Sequence, residues 1–383
     1  SFDADPGLAG NQLFQEREVG FDEITGRAVL DWQITPDNLL YFSYSRGYKS
    51  GGINPPLQPI FQVDESFVPE LVDAFEIGSK NRFGDLQLNL TGFYYKYKDL
   101  QLSRIVARTS VNDNVDAEIY GLEAEAVITP SPNWVINMGA SYLHTKVSSD
   151  KFLGNPRDPS GGRSDTVIIK DITNGANCAV VPTVAGNAVG VQTYVAAVNG
   201  GLGLRPPAGF GPNSGINSPG AFGICSVLQA TAAAPPAALS GLFGLPPGVA
   251  LPFTVENAGV PVNIRGNELP QAPNYKFSVG VQYTADIGTD MTLVPRFDLA
   301  YTGDSYGNIF NGRINEINGY AQANAQIQLN GGDNRWFIKA FVQNIFDSQS
   351  VTGLYVTDQS SGLFTNVFTL DPRRYGIGAG IKF

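Results

Sequence analysis

The sequence predicts an all-β fold, a transmembrane antiparallel β-barrel to which this chain contributes eleven strands. Three observations support the prediction: apolar and polar residues alternate in eleven segments, the connections between them alternate between short and long, and tyrosines lie near the ends of the apolar stripes. Successive side chains of a strand point to opposite faces, so each segment presents one apolar face. Short turns on one rim and long loops on the other are typical of membrane barrels.

The composition of the 383 residues disfavours other classes of protein. A net charge of -10, from 25 basic and 35 acidic side chains without a basic stripe, disfavours nucleic acid as a partner. The most apolar stretch, residues 232–253, contains Pro235, Pro236, Pro246 and Pro247, which do not fit the interior of a spanning helix. We therefore expect strands, not helices, to cross the membrane.

The eleven segments run from residue 24 to the end of the chain. In the first, Ile24, Ala28 and Trp32 share one face. In the last, the apolar series from Tyr375 to Phe383 alternates with glycines, which places apolar side chains toward lipid and glycines toward the lumen. The predicted strands are 24–34, 39–52, 71–83, 86–105, 118–128, 134–147, 275–287, 291–307, 320–330, 335–347 and 373–383.

The connections fall into two classes that alternate strictly. The short ones are predicted at 35–38, 84–85, 129–133, 288–290 and 331–334. The long ones are predicted at 53–70, 106–117, 148–274, 308–319 and 348–372. A soluble β-sandwich has no reason to sort its loops in this way, so the pattern favours a barrel.

Aromatic side chains near strand ends agree with this interpretation, because amphipathic rings favour the lipid headgroup region. The alternative is the ordinary enrichment of aromatic residues in strands. The tyrosines expected to form this girdle are Tyr41, Tyr44, Tyr94, Tyr142, Tyr275, Tyr283 and Tyr301.

An odd number of strands conflicts with the even number by which bacterial barrels of this kind close. We therefore expect the chain to be the C-terminal part of a larger barrel, with residues 1–18 at the end of an outer loop. The whole chain, 1–383, is predicted as barrel domain, with residues 150–262 as a long extracellular insertion.

Several segments together resemble the C-terminal barrel half of TonB-dependent outer-membrane receptors. They are "SYSRGYKSGGIN", "PELVDAFEIGSKNRF", "LQLNLTGFYYKYKDLQ", "AEIYGLEAEAVITP", "FVQNIFD" and "DPRRYGIGAGIKF". The resemblance extends over nearly all strands and leaves the insertion without a counterpart. It implies a barrel of 22 strands in the bacterial outer membrane, with a plug that does not appear in this chain.

The resemblance also implies a function and partners. The expected activity is energy-driven uptake of a scarce nutrient, commonly a ferric siderophore or similar chelate, coupled through the plug to an inner-membrane complex. Outer-membrane lipid is a further partner, and Phe383 is the expected signal to the barrel-assembly machinery. Polar residues are expected to face the lumen and, where present, the plug, the alternative being a solvated lumen: Arg27, Asp31, Glu123, Glu125, Arg296 and Asp298.

A small-molecule ligand is expected to bind at the long loops and the upper lumen, because rigid scaffolds present binding residues on their connections. Aromatic rings can stack on such a ligand and cationic side chains can pair with an anionic one. The alternative is that these residues form the membrane girdle or pack loops together. The candidates are Arg46, Tyr48, Lys49, Tyr306, Phe310, Arg313, Tyr355 and Phe364.

Neither catalysis nor a cofactor is expected. The single histidine, His144, has the parity of the apolar face of its strand, and the sequence contains no G-x-S-x-G motif and no histidine pair for zinc. Cys178 and Cys225 are most simply a loop disulfide rather than a metal site, although the sequence does not show that they pair.

The insertion has an unusual composition. Between residues 172 and 255 only Arg205 is charged, whereas Gly, Ala, Val and Pro are abundant. Disordered segments usually combine low hydrophobicity with high charge, so we expect this loop to cap the pore or to bury itself against a partner subunit. A flexible linker is the alternative. For the whole protein, the alternatives to transport are a passive porin-like channel and a surface barrel used for adhesion or assembly.

Overall fold

The computed structural model describes residues 18–55, 63–106, 109–171, 176–202, 223–256, 259–332, 335–357 and 364–382. Its main element is one antiparallel sheet whose eleven long strands follow one another in chain order, which confirms the predicted all-β fold. These strands are β1 (Gly26–Thr35), β2 (Asn38–Lys49), β3 (Glu70–Phe83), β4 (Leu86–Val106), β5 (Thr109–Ile128), β6 (Trp134–Val147), β7 (Tyr275–Tyr283), β8 (Met291–Thr302), β9 (Tyr320–Gly331), β10 (Trp336–Gln343) and β11 (Arg374–Ile381).

Short strands and helices occupy the connections. Ala285–Ile287 follows β7 and pairs with β8. In the long loops, Gly52–Ile53 pairs with Ser66–Phe67, Phe152–Gly154 with Pro261–Asn263, Ser305–Tyr306 with Glu316–Ile317, and Val351–Val356 with Thr365–Thr369. The helices are α1 (Ala188–Gly201), α2 (Ile224–Ala233), α3 (Ala237–Leu242) and a 3₁₀ turn at Arg313–Asn315. Within the described ranges, no helix is both long and apolar enough to span a membrane.

The strand register aligns the apolar residues of successive strands into one continuous face. One row of cross-strand partners crosses six strands through Phe42, Ile77, Gly92, Leu122, Tyr142 and Tyr275. The three tryptophans of the chain, Trp32, Trp134 and Trp336, have the parity of this face. We call this surface the apolar face, and the opposite surface the polar face.

The prediction that Tyr41 belongs to the aromatic girdle is wrong. It lies on the polar face, where its hydroxyl is 3.0 Å from Thr91 Oγ1 and its ring lies over Gly78. A Cβ atom at Gly78 would be 2.5 Å from the Tyr41 hydroxyl, so the glycine makes room for the ring. Tyr41 and Tyr44 are three residues apart in one strand and therefore face opposite sides.

Another correction concerns residues 106–117, which were predicted as a long loop. Strands β4 and β5 instead continue through this region, with 21 and 20 residues, and only 107–108 separate them. About 9–11 residues suffice to cross a bilayer, so the outer half of this hairpin extends beyond the membrane. The segment "SVNDNVDA" has turn-forming residues, but neighbouring loops satisfy their side chains and hold them in a strand, as described below.

The insertion contains a small folded unit, which we call the loop subdomain (residues 167–256). The strands Val167–Asp171, Ala176–Pro182 and Phe253–Glu256 form its sheet, and α1 and α2 pack against that sheet. Fully buried Ile169, Val180 and Leu228 belong to its core. Burial of apolar surface away from water drives such a core to form.

Candidate functional site

The polar face carries all six residues that were expected to face the lumen. Register places Arg27 and Asp31 on β1, Glu123 and Glu125 on β5, and Arg296 and Asp298 on β8, each with the parity of this face. Their neighbours across the strands are also mostly polar: Ser141 is the partner of Glu123, and Asn324 is the partner of Asp298. Whether a plug or water contacts them stays a prediction.

Arg296 and Asp298 form a two-pronged ion pair on this face. Nε and Nη2 of Arg296 donate to the two carboxylate oxygens of Asp298, at 2.9 and 2.6 Å. The pair lies over Gly280, where a Cβ atom would be 2.6 Å from Asp298 Oδ1 and 2.7 Å from Arg296 Nη2. A paired guanidinium and carboxylate offer a partner directional hydrogen bonds at little net charge.

A polar cavity of about 310 Å³ lies where this face meets the long loop between β10 and β11. Amide and hydroxyl side chains dominate its lining, together with one guanidinium and one carboxylate: Gln322, Asn324, Gln343, Asn344, Thr352, Thr369, Asp371 and Arg374. Arg374 is exposed and also pairs with Asp371 at 2.8 Å. Among the described residues, this cavity combines upper-lumen position, loop walls and an exposed ion pair, which suits a polar small molecule.

The buried side chain of Asn344 holds the base of that loop. Its Nδ2 donates to the carbonyl oxygens of Ser348 and Asp371, both at 2.9 Å, and its Oδ1 accepts from the Ser348 amide. Asn344 has a φ of 50°, a left-handed conformation that Asn tolerates. These contacts give Asn344 a structural role within "FVQNIFD", a segment that the sequence analysis used only for the resemblance.

The long loops also share a hydrophobic cluster, which we call the loop core. It joins the β4–β5 hairpin, the end of β6, the segment before β7 and the β8–β9 loop through Val115, Val147, Leu153, Ile264 and Ile309. Phe310, a predicted ligand contact, packs against this cluster and is partly buried. That position favours the loop-packing alternative for Phe310.

An ion triad around the buried carboxylate of Asp113 fixes the β4–β5 hairpin beside the loop core. The carboxylate of Asp113 pairs with Arg104 across the hairpin and with Lys151 at 3.0 Å, at the start of the insertion. Burial alone would raise the pKa of the Asp113 carboxyl, but the charges of Arg104 and Lys151 outweigh it, so the pKa is lowered from its ordinary value. The carboxylate therefore stays ionised at neutral pH.

Asn54 supplies a second fixed point for the same hairpin. Its Nδ2 donates to the carbonyl oxygens of Asp64 and Asn112, both at 2.9 Å, and its Oδ1 accepts from the Asn112 amide at 2.8 Å. The sequence analysis identified neither Asn54 nor Asp113 as important. The alternation of Val111, Asp113 and Val115 with asparagines was the available signal, because it continues the period of β5.

The three ligand candidates on β2 do not all lie on the same face of the sheet. Arg46 and Tyr48 lie on the apolar face, where Arg46 forms a two-pronged ion pair with Asp73 at 2.8 and 2.7 Å. This position favours the girdle alternative for both residues. Lys49 lies on the polar face, and its Nζ is 3.9 Å from Glu70 Oε2.

The remaining ligand candidates lie on two loops that touch. Tyr306 and Arg313 belong to the β8–β9 loop, whereas Tyr355 and Phe364 belong to the β10–β11 loop. The loops meet where Leu354 packs over Gly307, at which a Cβ atom would be 2.2 Å from Leu354 Cδ1. Arg313, Tyr355 and Phe364 are exposed. Phe383 lies outside the described residues.

Cys178 and Cys225 form a disulfide that joins the sheet of the loop subdomain to α2. The buried carboxylate of Asp171 accepts hydrogen bonds from the amides of Gly223 and Cys225 at the start of the same helix, at 3.1 and 3.0 Å. A carboxylate at this end of a helix is favourable, because it meets unpaired N–H groups and the positive end of the dipole. Within the described part of residues 172–255, the disulfide therefore links the sheet of the loop subdomain covalently to α2.

Comparison with known proteins gives consistent matches. Residues 1–222 match the family described as "TonB dependent receptor-like, beta-barrel". The pesticin receptor of Yersinia enterocolitica is 28% identical over 196 residues, which cover 49% of this chain and 28% of that receptor. The chain therefore spans well under half the length of this relative.

Solved structures show the same fold. The ferric yersiniabactin uptake receptor FyuA from Yersinia pestis aligns with a TM-score of 0.56 and 17% identity, covering 94% of this chain and 37% of that one. The siderophore receptor PiuA from Acinetobacter baumannii aligns with a TM-score of 0.51 and 13% identity, covering 93% and 35%.

Proposed function

Since this chain belongs to the TonB-dependent receptor β-barrel family, whose members lie in the outer membrane of Gram-negative bacteria, we propose that it serves active uptake of a scarce nutrient. A ferric siderophore or a similar chelate is the expected substrate. The names of two aligned structures, a ferric yersiniabactin uptake receptor and a siderophore receptor, support this substrate class. The polar cavity at the top of the polar face supports the proposal from this chain's own residues.

In the proposed mechanism, the long loops capture the ligand and the polar cavity holds it. Arg374 pairs with negative charge on the ligand, while the amides of Gln322 and Asn324 donate hydrogen bonds to its oxygen atoms. Arg313 and Tyr355, on the two touching loops, make the first contacts. The observation that carries this proposal is the polar cavity, which lies between the polar face of the sheet and the β10–β11 loop.

The barrel is proposed to be completed by strands from outside this chain. Among the described residues, β1 and β11 each pair with a strand on one side only, at β2 and β10. An unpaired edge is incompatible with hydrocarbon, where no water satisfies backbone N–H and C=O groups. We propose 22 strands with a plug against the polar face, and energy coupling through that plug to an inner-membrane complex.

The loop subdomain is proposed to cap the lumen. It is tied to the rim by the pairing of Phe152–Gly154 with Pro261–Asn263, next to the loop core. Deletion of residues 167–256 from the full-length protein should then increase passive permeation of small solutes and reduce ligand retention. If the deletion instead releases a co-purifying subunit and leaves permeation unchanged, the subdomain is a subunit contact rather than a cap.

Uptake of radioactive iron by iron-starved cells tests the proposed function. Cells that carry the full-length gene should accumulate iron from at least one ferric siderophore in a panel, and only while the membrane is energised. The variant Arg374→Gln should reduce this uptake about tenfold, since a charge-assisted contact to the ligand is lost. The matched control is Arg335→Gln, which removes an exposed guanidinium from the short-turn rim.

Two results would contradict the proposal. Uptake that continues after the proton motive force is abolished, together with ion conductance in planar bilayers, would establish a porin-like channel. Loop-directed binding to macromolecules without any effect on nutrient uptake would establish an adhesion or assembly function.

A further inference from the structure

Strand β9 carries side-chain amides at five successive positions of the polar face, which we call the amide row. The row consists of Gln322, Asn324, Gln326, Gln328 and Asn330. The strand "YAQANAQIQLNG" contains no charged residue, whereas the adjacent strands place Arg296, Asp298 and Lys339 on the same face. The amide row is therefore an uncharged stripe between two charged strands.

The amide row is long enough to accompany a ligand through most of the membrane. Side chains two residues apart on a strand are separated by about 7 Å, so the row extends over about 27 Å. With the usual strand tilt of about 40°, it covers about 20 Å of a hydrocarbon core that is about 30 Å thick. The upper end of the row, at Gln322 and Asn324, forms part of the wall of the polar cavity.

Two further cavities continue the polar cavity along the amide row. One of about 380 Å³ shares Gln322 and Asn324 with the polar cavity, and another of about 280 Å³ shares Asn324 and reaches Gln326. The charged residues in the three walls balance one another: Arg296, Lys339 and Arg374 against Glu125, Asp298 and Asp371. The walls along the row thus have no net charge.

Two members of the amide row have side chains without a hydrogen-bond partner among the described residues. They are Gln322 and Gln326, and both are half-buried in cavity walls. The other three each make a contact. Asn324 Oδ1 accepts from the Asn344 amide at 3.0 Å, Gln328 Nε2 donates to Asn330 Oδ1 at 2.7 Å, and Asn330 Nδ2 donates to Thr292 Oγ1 at 3.1 Å. A half-buried amide gains stability from a ligand that supplies the missing hydrogen bonds.

The chemistry of the amide row favours one class of ligand. An amide side chain both donates and accepts hydrogen bonds, so it matches hydroxyl, amide and hydroxamate groups in either orientation. Neutral hydrogen bonds are weaker than ion pairs, and a series of weak contacts lets a ligand bind and leave each position in turn. A polyanion would lose hydration along this path without meeting a positively charged wall.

We propose that the amide row is the path along which the substrate moves from the polar cavity toward the short-turn rim. The path selects chelates of low net charge that are rich in amide, hydroxamate or hydroxyl groups. This inference rests on the proposed function, because it names the substrate class and its route between the polar face and the plug. Arg374 meets a single negative charge of such a chelate at the entrance, and Gln322 and Gln326 supply the first unpaired amides.

Initial rates of radioactive iron uptake by energised, iron-starved cells that carry the full-length protein test the path. The probes are an uncharged ferric trihydroxamate and a polyanionic ferric tris-catecholate, and the trihydroxamate should enter faster. The double variant Gln326→Leu/Gln328→Leu should lower its maximal uptake rate about tenfold with little change in KM, because hydrogen bonds below the entry cavity are lost. The conservative variant Gln326→Asn/Gln328→Asn should retain most of the uptake.

The matched control is Gln87→Leu/Asn89→Leu, which removes two amides from the polar face of β4 near the same rim and should leave uptake unaltered. Gel mobility of unheated samples checks that every variant retains a folded barrel. Faster uptake of the tris-catecholate, or normal uptake by the β9 leucine variant, would overturn the path. An equal loss in the β4 control would also overturn it, and would assign the amides to general contact with the plug. Absence of uptake of every chelate would refute the proposed function, and the path with it.

Discussion

Large apolar side chains are exposed on one face of the sheet, whereas those of the loop subdomain are buried in its core. On the sheet, Leu122 is 63% exposed and Ile377 is 81% exposed, whereas Ile169 and Leu228 in the subdomain are fully buried. The hydrophobic effect acts on both regions. Lipid hydrocarbon must cover the apolar face of the sheet, whereas the apolar residues of the subdomain cover one another. Exposed apolar residues on a folded surface therefore indicate that the surface lies against lipid rather than water.

Removal of the disulfide should have the largest effect, and only on the subdomain. The double variant Cys178→Ser/Cys225→Ser opens a loop closed across 47 residues, which costs about 4 kcal/mol of stability in the chain-entropy description. Limited proteolysis of intact cells should then cut within residues 176–256 much faster than in the parent protein. Gel mobility of the unheated barrel should be unchanged, and a loss of barrel mobility would contradict the independence of the two regions.

A charge on the apolar face of the sheet should have the next largest effect. Leu122→Arg places a guanidinium among lipid chains and should destabilise the barrel by about 3 kcal/mol, as measured by urea unfolding in lipid vesicles. Glu123→Arg is the matched control, because its side chain lies on the polar face one residue away. Equal destabilisation by both variants would refute the assignment of the two faces.

Loss of the Asp113 ion triad should have a moderate effect that depends on pH. Asp113→Asn removes charge-assisted hydrogen bonds from Arg104 and Lys151 and should cost about 2 kcal/mol in the stability of the loop core. Because the folded pKa of Asp113 is lowered, its contribution is present above the unfolded value of about 3.9 and is lost as the pH falls through the folded pKa.

Protease sensitivity of the β4–β5 hairpin between pH 6 and pH 3 measures this contribution. The parent protein should become sensitive only as the pH falls below the unfolded value of about 3.9 and through the lower folded pKa of Asp113, where the carboxylate is protonated. Asp113→Asn should be sensitive already at pH 6, with little further change. A variant with the same acid-induced change as the parent would assign the effect to other carboxylates.

A methyl group beneath the Arg296–Asp298 pair should have the smallest effect. Gly280→Ala would place Cβ 2.6 Å from Asp298 Oδ1, so the pair must move, at a cost of about 1 kcal/mol. Gly378→Ala is the control, because the nearest side-chain atom there is 4.0 Å away. Urea unfolding of both variants measures the difference, and indistinguishable midpoints would show that the pair adjusts freely.

The period of two predicted the sheet because it follows directly from strand geometry. It also contained information that the sequence analysis did not use, since parity alone places Tyr41 opposite Tyr44, and Arg46 on the same face as Phe42. The error at residues 106–117 has another cause. Asn and Asp favour turns when isolated, but Asn54 and Lys151 lie far from them in sequence and supply partners only after folding.

The subdomain and the polar cavity were harder to predict for a related reason. A low charge content indicates burial but does not say which residues pack together, and the buried stacking of Tyr194 on Phe253, with ring centroids 5.0 Å apart, joins residues far apart in sequence. Asn344 and Arg374 both line the cavity because the two ends of the β10–β11 loop lie side by side. Such sites depend on tertiary contacts that periodicity does not encode.

Lipid should cover the apolar face, and spin labels placed singly at residues 120 to 126 of the full-length protein in vesicles test whether it does. Accessibility to oxygen, which concentrates in hydrocarbon, should be high at 120, 122, 124 and 126 and low at the residues between them. Accessibility to a water-soluble nickel chelate should show the opposite alternation. Equal accessibility of both faces to the nickel chelate would contradict the account.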